Sequence, residues 1–357
     1  MKKLISLILA LMLVFSMATV AFAAEGDTPA EEPETPGYIT TNYNDKVNQP
    51  VDFSKTYDIL GGKSPAETFN FRFTPYAAEN SDGEDVFSTV KKQMPLIDGI
   101  STSFAELDAD STNTVEVSVD ADDFPDLGVY TYEVVELAPN DDFDETTKNT
   151  AGVTYSSEKL YLVITILRDE SNNQQYVAAV HYSTVDGLKT GTITNKYEAG
   201  SLSVTKKITG NMANMKDTFN FTVTFTAPNG EVLNSDIKLS VAGADATSLA
   251  YTKGSNTATA TFSLGHEQTA TFTNIPEGVT YTVVEDTPDD YKVTEQTYSD
   301  DFKTISNGDA DTVKFTNDKT EGVDTGITLD SIPFILILAV CAGAAILFIT
   351  KRRSVNF

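Results

Sequence analysis

Apolar and polar residues alternate along many short segments of this chain, and clusters of turn-forming residues separate these segments. Such alternation, with many β-branched and aromatic side chains, is typical of half-buried β-strands. The clearest examples are residues 69–73, 115–119, 129–135, 160–167, 219–225 and 279–285. No segment keeps a helical apolar period over several turns, although residues 86–94 are predicted to form a short helix. The pattern therefore predicts an all-β protein of the β-sandwich type.

The strand pattern runs through the chain twice. One unit is expected over residues 38–197 and a second over residues 200–318, because strands of similar composition recur in the same order. The Glu-Ala-Gly segment at 198–200 is short for a linker, which predicts two modules held in line as a stiff rod. At 357 residues the chain is long enough for two such domains.

A lysine interrupts the apolar face of the strand predicted at 202–208. Alternate side chains of a strand share a face, so Leu202, Val204, Lys206 and Ile208 point in one direction. That face should be core, and an unpaired ammonium group in a core costs several kcal/mol. The lysine therefore needs a partner, a lowered pKa or a chemical reaction that consumes its charge.

Other polar residues break apolar rows in the same way, and together they form a repeated set. The set comprises Lys55, Glu136 and Asn195 in the first unit and Lys206, Glu285 and Asn317 in the second. A lysine, a glutamate and an asparagine thus occur twice in the same chain order. We predict that each trio meets in the core of its own unit.

Such a trio can form a covalent bond. In an apolar interior, desolvation lowers the pKa of an amine and raises that of a carboxylic acid, so the neutral forms are favoured. A neutral amine is a nucleophile, and a protonated carboxyl group can donate a hydrogen bond to the amide oxygen and polarise its carbon. Attack with loss of ammonia would leave one Lys–Asn isopeptide bond per unit, with Glu136 and Glu285 as catalytic residues. The alternative is a buried salt bridge beside a hydrogen-bonded amide.

The two ends of the chain are typical of a secreted protein of the cell surface. Residues 1–24 have the basic start, apolar run and Ala-Phe-Ala ending of a signal peptide, and residues 25–37 form an acidic, proline-containing leader expected to be disordered. Residues 321–357 combine Thr325 and Gly326 with an apolar run at 332–350 and a basic tail, which predicts a cell-wall sorting signal with a transmembrane segment. An N-terminal membrane anchor and a plain C-terminal anchor are the alternatives.

The net charge and the cysteine content argue against several classes of function and of covalent reinforcement. The net charge of -27 disfavours binding to nucleic acid or to anionic lipid headgroups. The single cysteine, Cys341, lies in the C-terminal apolar run, so no disulfide can form within the body of the chain. Covalent reinforcement of the two units would therefore need other chemistry, and contact with a membrane is expected only before sorting.

Several motifs surround the repeated residues. They read Gly-Val-Tyr-Thr-Tyr-Glu-Val-Val-Glu at 128–136, Gly-Val-Thr-Tyr at 152–155, Leu-Ser-Val-Thr-Lys-Lys-Ile-Thr-Gly at 202–210, Gly-Val-Thr-Tyr-Thr-Val-Val-Glu at 278–285 and Lys-Phe-Thr-Asn at 314–317. From about Val51 onward the chain resembles the major backbone pilins of Gram-positive, sortase-assembled pili, which carry streptococcal-type pilin isopeptide-linkage domains. The resemblance implies two tandem Ig-like, CnaB-like sandwiches. It also implies bond-forming, catalytic and acceptor roles for the same lysines, glutamates and asparagines.

The resemblance further implies how the subunits are joined. A sortase would cut between Thr325 and Gly326 and link Thr325 to a lysine of the next copy, which gives a head-to-tail polymer. The motif differs from the usual Leu-Pro-x-Thr-Gly in having Gly322 and Val323 at its first two positions. Lys189, in Asp-Gly-Leu-Lys-Thr-Gly, is the candidate acceptor, and a solvated turn lysine is the alternative. Minor pilins and peptidoglycan are the further partners expected of such a subunit.

Other kinds of site have little support in the sequence. His181 and His266 have no cysteine or carboxylate at ligand spacing, which argues against zinc, and the acidic stretches 120–123 and 141–145 are more typical of solvated loops than of calcium sites. Phosphate-binding glycine loops and nucleophile elbows are absent, so neither a cofactor nor enzymatic turnover is expected. The predicted function is a pilus shaft subunit. A wall-anchored adhesin or minor pilin that uses the same domains as a stalk is the alternative.

Overall fold

The computed structural model describes residues 48–139, 148–308, 310–321, 336–342 and 344. The predicted signal peptide, the leader, the acidic stretch 141–145 and the sorting motif with Thr325 and Gly326 lie outside the described residues. Of the predicted membrane segment at 332–350, residues 336–342 are described and are helical. Within the described part of the chain, no helix has the length and apolar character needed to cross a membrane.

The first sandwich contains β1 to β9 and the beginning of β10. These strands are β1 (Phe53–Leu60), β2 (Glu67–Asn80), β3 (Ile100–Phe104), β4 (Ser111–Val115), β5 (Gly128–Leu137), β6 (Asn149–Thr150), β7 (Val153–Thr154), β8 (Lys159–Asp169), β9 (Gln174–Thr184) and β10 (Thr192–Thr209). One sheet has the order β3-β2-β5-β8-β9, and the other contains β4, β1 and β10. The short helix predicted at 86–94 is present as α1 (Phe87–Val90).

The second sandwich contains the rest of β10 and the strands that follow it. These are β11 (Phe219–Thr226), β12 (Glu231–Val232), β13 (Lys238–Val241), β14 (Thr247–Ser248), β15 (Thr257–Leu264), β16 (Thr269–Pro276), β17 (Thr280–Asp286), β18 (Lys292–Tyr298) and β19 (Ala310–Asp318). One sheet has the order β15-β11-β17, and in the other β10 lies between β16 and β19. The prediction of an all-β protein with tandem β-sandwiches is confirmed.

The alternation in the sequence explains how each sandwich fills its core. Along β5, Tyr130, Tyr132 and Val134 are buried, whereas the side chains between them are only half-buried. Strand β15 behaves similarly, with a buried residue at every second position. Because successive side chains of a strand point to opposite faces, one face of each strand supplies the core. The two sandwiches have separate apolar cores.

Strand β10 belongs to both sandwiches. Residues 192–198 pair in parallel with β1, and residues 201–209 pair in parallel with β19. The joint expected at 198–200 is therefore not a loop but the middle of one continuous strand, with a bulge between Gly200 and Leu202 against β16. A glycine in the interior of a strand is often found at such a bulge. The two modules thus share backbone hydrogen bonding along a single strand.

Short segments of the first sandwich also reach into the second. Strand β6 pairs in parallel with β12, and the Ala151 N–H donates a hydrogen bond to the Val232 carbonyl over 2.9 Å. The side chain of Ala151 is fully buried in the apolar core of the second sandwich. This two-residue ladder therefore fixes the position of one module relative to the other.

Asn274 on β16 makes a polar connection across the same junction. Its side-chain Oδ1 accepts hydrogen bonds from the Lys63 N–H over 2.8 Å and from the Tyr197 hydroxyl over 3.3 Å, and its Nδ2 donates to the Asp236 carbonyl over 3.2 Å. A Cβ atom on Gly62 would lie 2.2 Å from this Oδ1, so the close approach requires glycine. One amide group thus links the end of β1 to the second sandwich.

Candidate functional site

The first predicted trio meets in the core of the first sandwich. The side chain of Lys55 is fully buried, and its Nζ lies 2.6 Å from Glu136 Oε2. The other carboxyl oxygen, Glu136 Oε1, accepts a short hydrogen bond from Asn195 Nδ2. We call Lys55, Glu136 and Asn195 the first triad. The carboxyl group stands between the amine and the amide and contacts both.

Strand register explains why these side chains meet. Lys55 on β1 pairs with Ile193 on the parallel strand β10, so Asn195 lies two residues further along that strand, on the same face. Glu136 comes from β5 in the opposite sheet, where it pairs with Phe71. Two members of the triad thus come from adjacent strands of one sheet, and the carboxylate reaches them across the core.

The surroundings of Lys55 favour the neutral amine. Burial lowers the pKa of Lys55 from its ordinary value to about 8, although the neighbouring Glu136 acts in the opposite direction. The ring of Phe69 lies beside the amine, with its centroid 4.5 Å from Nζ. A lysine with a lowered pKa is a better nucleophile near neutral pH because more of it carries a free electron pair.

The Asn195 amide is oriented by a backbone group. The Ser156 N–H donates a hydrogen bond to Asn195 Oδ1 over 2.9 Å. An N–H group can only donate, so it fixes the oxygen of the amide on its own side and leaves Nδ2 facing Glu136. The sequence predicts a hydrogen bond from the glutamate to the amide oxygen, but in the structure this oxygen accepts from the Ser156 N–H instead. This N–H is placed to stabilise negative charge on the oxygen during attack on the amide carbon.

The second predicted trio lies in the second sandwich with the same strand register, but among the described residues no hydrogen bond joins its carboxyl group to the amide. We call Lys206, Glu285 and Asn317 the second triad. The Lys206 Nζ lies 2.5 Å from Glu285 Oε1, and both side chains are buried. Lys206 on β10 pairs in parallel with Phe315 on β19, so Asn317 again lies two residues beyond the paired position.

Burial acts on the pKa of the lysine in the second triad as it does in the first. Burial lowers the pKa of Lys206, and the neighbouring Glu285 acts in the opposite direction. Lys206 Nζ lies 4.1 Å from the centroid of the Phe219 ring. Asn317 is fully buried, and among the described residues neither its Oδ1 nor its Nδ2 has a hydrogen-bond partner. A buried amide without partners is unfavourable by about 1–3 kcal/mol per unpaired group, so it needs an explanation.

The other predicted residues have simpler surroundings. Lys189 is exposed in the connection between β9 and β10, where it forms an isolated bridge with Ser183. His181 is buried on β9, and its pKa is lowered to about 4 by burial and by the nearby charge of Lys189. His266 lies in the turn between β15 and β16 of the other sandwich and accepts a hydrogen bond from the Ile208 N–H. In the part of the chain that the structure describes, no cluster of three or more metal-ligand side chains is present.

Sequence reasoning missed the groups that surround the triads. Phe69 and Phe219 cover the two lysines, and each lies in a Phe-Asn-Phe segment whose second phenylalanine pairs with the glutamate of the triad. The recurrence of this segment in both units was a usable signal. The contribution of Ser156 could not be read from the sequence, because it uses a backbone N–H that every residue except proline has.

Both sandwiches, each with its triad, match known protein families. Residues 51–198 match the family described as a Spy0128-like isopeptide containing domain, and residues 200–319 match a domain of unknown function, DUF7601. A pilin of Streptococcus pyogenes serotype M1 is 25% identical over an alignment of 320 residues, which covers 84% of this chain and 90% of that pilin. The chain is thus similar to a streptococcal pilin over most of its length. The family resemblance predicted from the motifs is confirmed.

Solved structures of pilins also align with this pilin-like chain. A major pilin from Streptococcus pyogenes is 20% identical, with 77% of this chain and 99% of that chain covered and a TM-score of 0.48. The T-13 major pilin from Streptococcus pyogenes is 20% identical, with 76% and 98% covered and a TM-score of 0.47. The curated relative is a structural pilin, which agrees with the expectation that the chain is not an enzyme with turnover.

Proposed function

We propose that this protein is the shaft subunit of a covalent surface pilus, and that each sandwich closes one Lys–Asn isopeptide bond within itself. The observation that carries the proposal is the repetition of the buried triad, with the same strand register, in two sandwiches of a pilin relative. A structural salt bridge has no need of an asparagine at a fixed position beside it. Two such sites in one chain favour a shared chemical role.

The geometry of the first triad supports a balanced reaction. The electron pair of the neutral Lys55 Nζ attacks the Asn195 side-chain carbon, and negative charge develops on Oδ1, where the Ser156 N–H donates. Glu136 Oε2 accepts a proton from Nζ, and a proton reaches the departing Nδ2 from Oε1. A C–N bond forms, the C–N bond to Nδ2 breaks, and ammonia leaves. The carboxyl group ends in the protonation state in which it began, so it acts as a proton carrier.

The second triad supports the same reaction in a different way. The buried Asn317 amide has no hydrogen-bond partner among the described residues, so the ground state lacks the stabilisation that a buried amide usually has. Conversion of this amide into an isopeptide removes the unpaired NH₂ group and releases it as ammonia. Loss of an unfavourable buried group would help to drive the reaction.

Assembly into a polymer is the second part of the proposal. A sortase would cleave between Thr325 and Gly326 and join Thr325 to Lys189 of the neighbouring copy. The exposure of Lys189 at a strand connection supports its access to a large enzyme. Minor pilins and wall peptidoglycan would be the partners at the ends of the polymer, and the membrane would hold the subunit only before sorting.

Intact-mass spectrometry of the purified body tests the intramolecular bonds. We expect a mass lower than that of the sequence by two ammonia molecules. Glu136→Ala should restore one of them and Glu285→Ala the other, and peptide mapping should find Lys55 linked to Asn195 and Lys206 linked to Asn317. A wild-type protein with the full mass of its sequence would refute the bond proposal.

Blotting of released wall material tests the polymer. Lys189→Arg should abolish a ladder of high-mass species that survives boiling in detergent, whereas Lys216→Arg, at another exposed lysine, should leave it unchanged. A single band from the wild-type strain would contradict the shaft assignment and favour the wall-anchored stalk.

A further inference from the structure

A chain of contacts leads away from Lys55 to a carboxylate outside the first triad. The Phe69 ring that covers Lys55 packs edge-on against Tyr155, with the centroids 6.1 Å apart. The Tyr155 hydroxyl donates to Glu67 Oε1 over 3.0 Å and accepts a hydrogen bond from the Thr150 N–H over 3.3 Å. The Thr150 hydroxyl donates to Glu67 Oε2 over 3.0 Å. The Tyr155 hydroxyl and both carboxylate oxygens of Glu67 therefore all have hydrogen-bond partners.

The second sandwich contains the same chain of contacts. Phe219, which covers Lys206, packs edge-on against Tyr291 with the centroids 5.0 Å apart. The Tyr291 hydroxyl donates to Asp217 Oδ2 over 2.8 Å and accepts a hydrogen bond from the Asn214 N–H over 3.1 Å. The Asn214 side chain donates to Asp217 Oδ1 over 2.6 Å.

The repetition is specific in position but not in residue type. In both sandwiches the carboxylate lies two residues before the phenylalanine, and the tyrosine lies outside the strands, later in the chain than the strand of the triad glutamate: Tyr155 between β7 and β8, and Tyr291 between β17 and β18. The acid is glutamate in one unit and aspartate in the other, and the second donor to it is threonine or asparagine. Different side chains thus reproduce one geometry, which a general need for core packing does not explain.

We propose that this tyrosine and carboxylate, which we call the tyrosine clamp, hold the phenylalanine ring against the lysine and so position the amine for bond formation. Tyr155 with Glu67 forms the clamp of the first sandwich, and Tyr291 with Asp217 forms that of the second. The inference rests on the proposed function, because the clamp serves the isopeptide reaction. These four are positioning residues, since they act through the phenylalanine and do not touch the reacting atoms.

The clamp would matter because the tyrosine restricts the movement of the phenylalanine ring on the side opposite the lysine. A phenylalanine has no polar group to fix its tilt, and a loose ring would let the amine move away from the amide carbon. A misplacement of about 1 Å in a reacting group can slow a reaction about a hundredfold. In the first sandwich the clamp has a second effect, because Ser156, which orients the Asn195 amide, directly follows Tyr155.

The two clamps should differ in importance. Phe69 also packs against Tyr57 and Phe104, with ring centroids 5.2 and 5.8 Å away, so its position does not depend on Tyr155 alone. We therefore expect the clamp hydroxyl to matter more in the second sandwich. The decisive variant is Tyr291→Phe, which keeps the ring and removes only the hydroxyl group.

Bond formation can be timed during cell-free synthesis of the full chain. Samples are stopped in acidic denaturant, and intact mass gives the fraction that has lost ammonia. In a Glu136→Ala background only the second bond forms, and there Tyr291→Phe should slow it about tenfold, the effect of about 1.4 kcal/mol on the barrier. Tyr251→Phe is the matched control, because it removes a hydroxyl that donates to the Ser235 carbonyl elsewhere in the same sandwich.

A stability measurement separates positioning from general support of the fold. In a Lys206→Met background, which cannot form the second bond, Tyr291→Phe and Tyr251→Phe should lower the melting temperature by similar amounts. Only Tyr291→Phe should slow the reaction in the bond-forming background. Equal reaction rates for the two tyrosine variants would overturn the clamp while leaving the proposed function intact.

A conservative replacement supplies the rescue experiment in the first sandwich. In a Glu285→Ala background, Glu67→Gln keeps an oxygen to accept from Tyr155 and should retain most of the rate. Glu67→Ala removes that acceptor and should slow the bond several-fold. Identical rates for these two variants would contradict the clamp in the first sandwich. If neither background chain loses ammonia at all, the proposed function fails and the clamp fails with it.

Discussion

Removal of the proposed cross-link in the second sandwich should lower the free energy of unfolding by about 5 kcal/mol. The double variant Lys206→Met with Glu285→Gln removes the amine and the buried charge pair together. The bond from Lys206 to Asn317 would close a loop of roughly 110 residues, and the chain-entropy model assigns about 4.8 kcal/mol to such a loop. Loss of the buried Glu285 carboxyl group should itself contribute little, because well-packed neutral residues often replace buried charged groups without loss of stability.

Scanning calorimetry is the suitable assay, since the chain has no tryptophan to report on each sandwich by fluorescence. For the second sandwich, residues 200–319, the unfolding entropy is about 0.25 kcal/mol/K, so about 5 kcal/mol corresponds to a fall of roughly 20 °C in melting temperature. Lys207→Met is the matched control, because Lys207 is the next residue on the same strand and is exposed. A double variant that melts within about 2 °C of this control would refute the reasoning, because it would mean that no covalent tie is lost.

Further predictions concern pH and the domain junction. Glu136→Ala leaves Lys55 buried without its carboxylate. Because burial holds the pKa of Lys55 below its ordinary value, stability should rise from pH 8 to 10 by at most about 1.4 kcal/mol per pH unit in denaturant titrations, and a flat profile would contradict this. The pKa of His181, lowered to about 4 by burial, means that the unfolded chain binds the proton first. Stability should therefore fall between pH 6.5 and 4 relative to His181→Asn, and parallel curves for the two proteins would be the contrary result. Asn274 has a φ of 59°, so Asn274→Gly should cost only its hydrogen bonds, about 1–3 kcal/mol in chemical denaturation, whereas Asn274→Ala should cost about 1 kcal/mol more. Equal stability of these two variants would show that the backbone strain argument is wrong.

The positions of the triad residues could be predicted because the period of a strand is strict. Lys55 and Asn195 had to face the core once the neighbouring apolar residues did, and the structure places both there. The alternation along a strand predicts which side chains share a face, but it does not predict which residues of two neighbouring strands pair. The offset that brings Asn195 beside Lys55 depends on parallel pairing of β1 with β10, which residues far apart in sequence determine.

The parts that escaped prediction lie where the chain has no period. Tyr155 and Tyr291 are in connections between strands, so nothing in their spacing indicated that they would face the triads. Strand β6 is only two residues long and pairs with another module, and two residues carry no readable alternation. The Glu-Ala-Gly segment at 198–200 was predicted to be a short joint between the modules, and the sequence did not indicate that the backbone continues through it as a strand with a bulge between Gly200 and Leu202.

The continuity of β10 has a consequence for extensibility. Asn195 and Lys206 lie on this one strand, eleven residues apart, so a tensile load that enters at Lys189 would run along about 36 Å of β10 between these residues before it reaches the second isopeptide bond. That backbone is already extended and has no slack to release. The shaft would then behave under tension as an inextensible tether, whose length changes only when a covalent bond breaks.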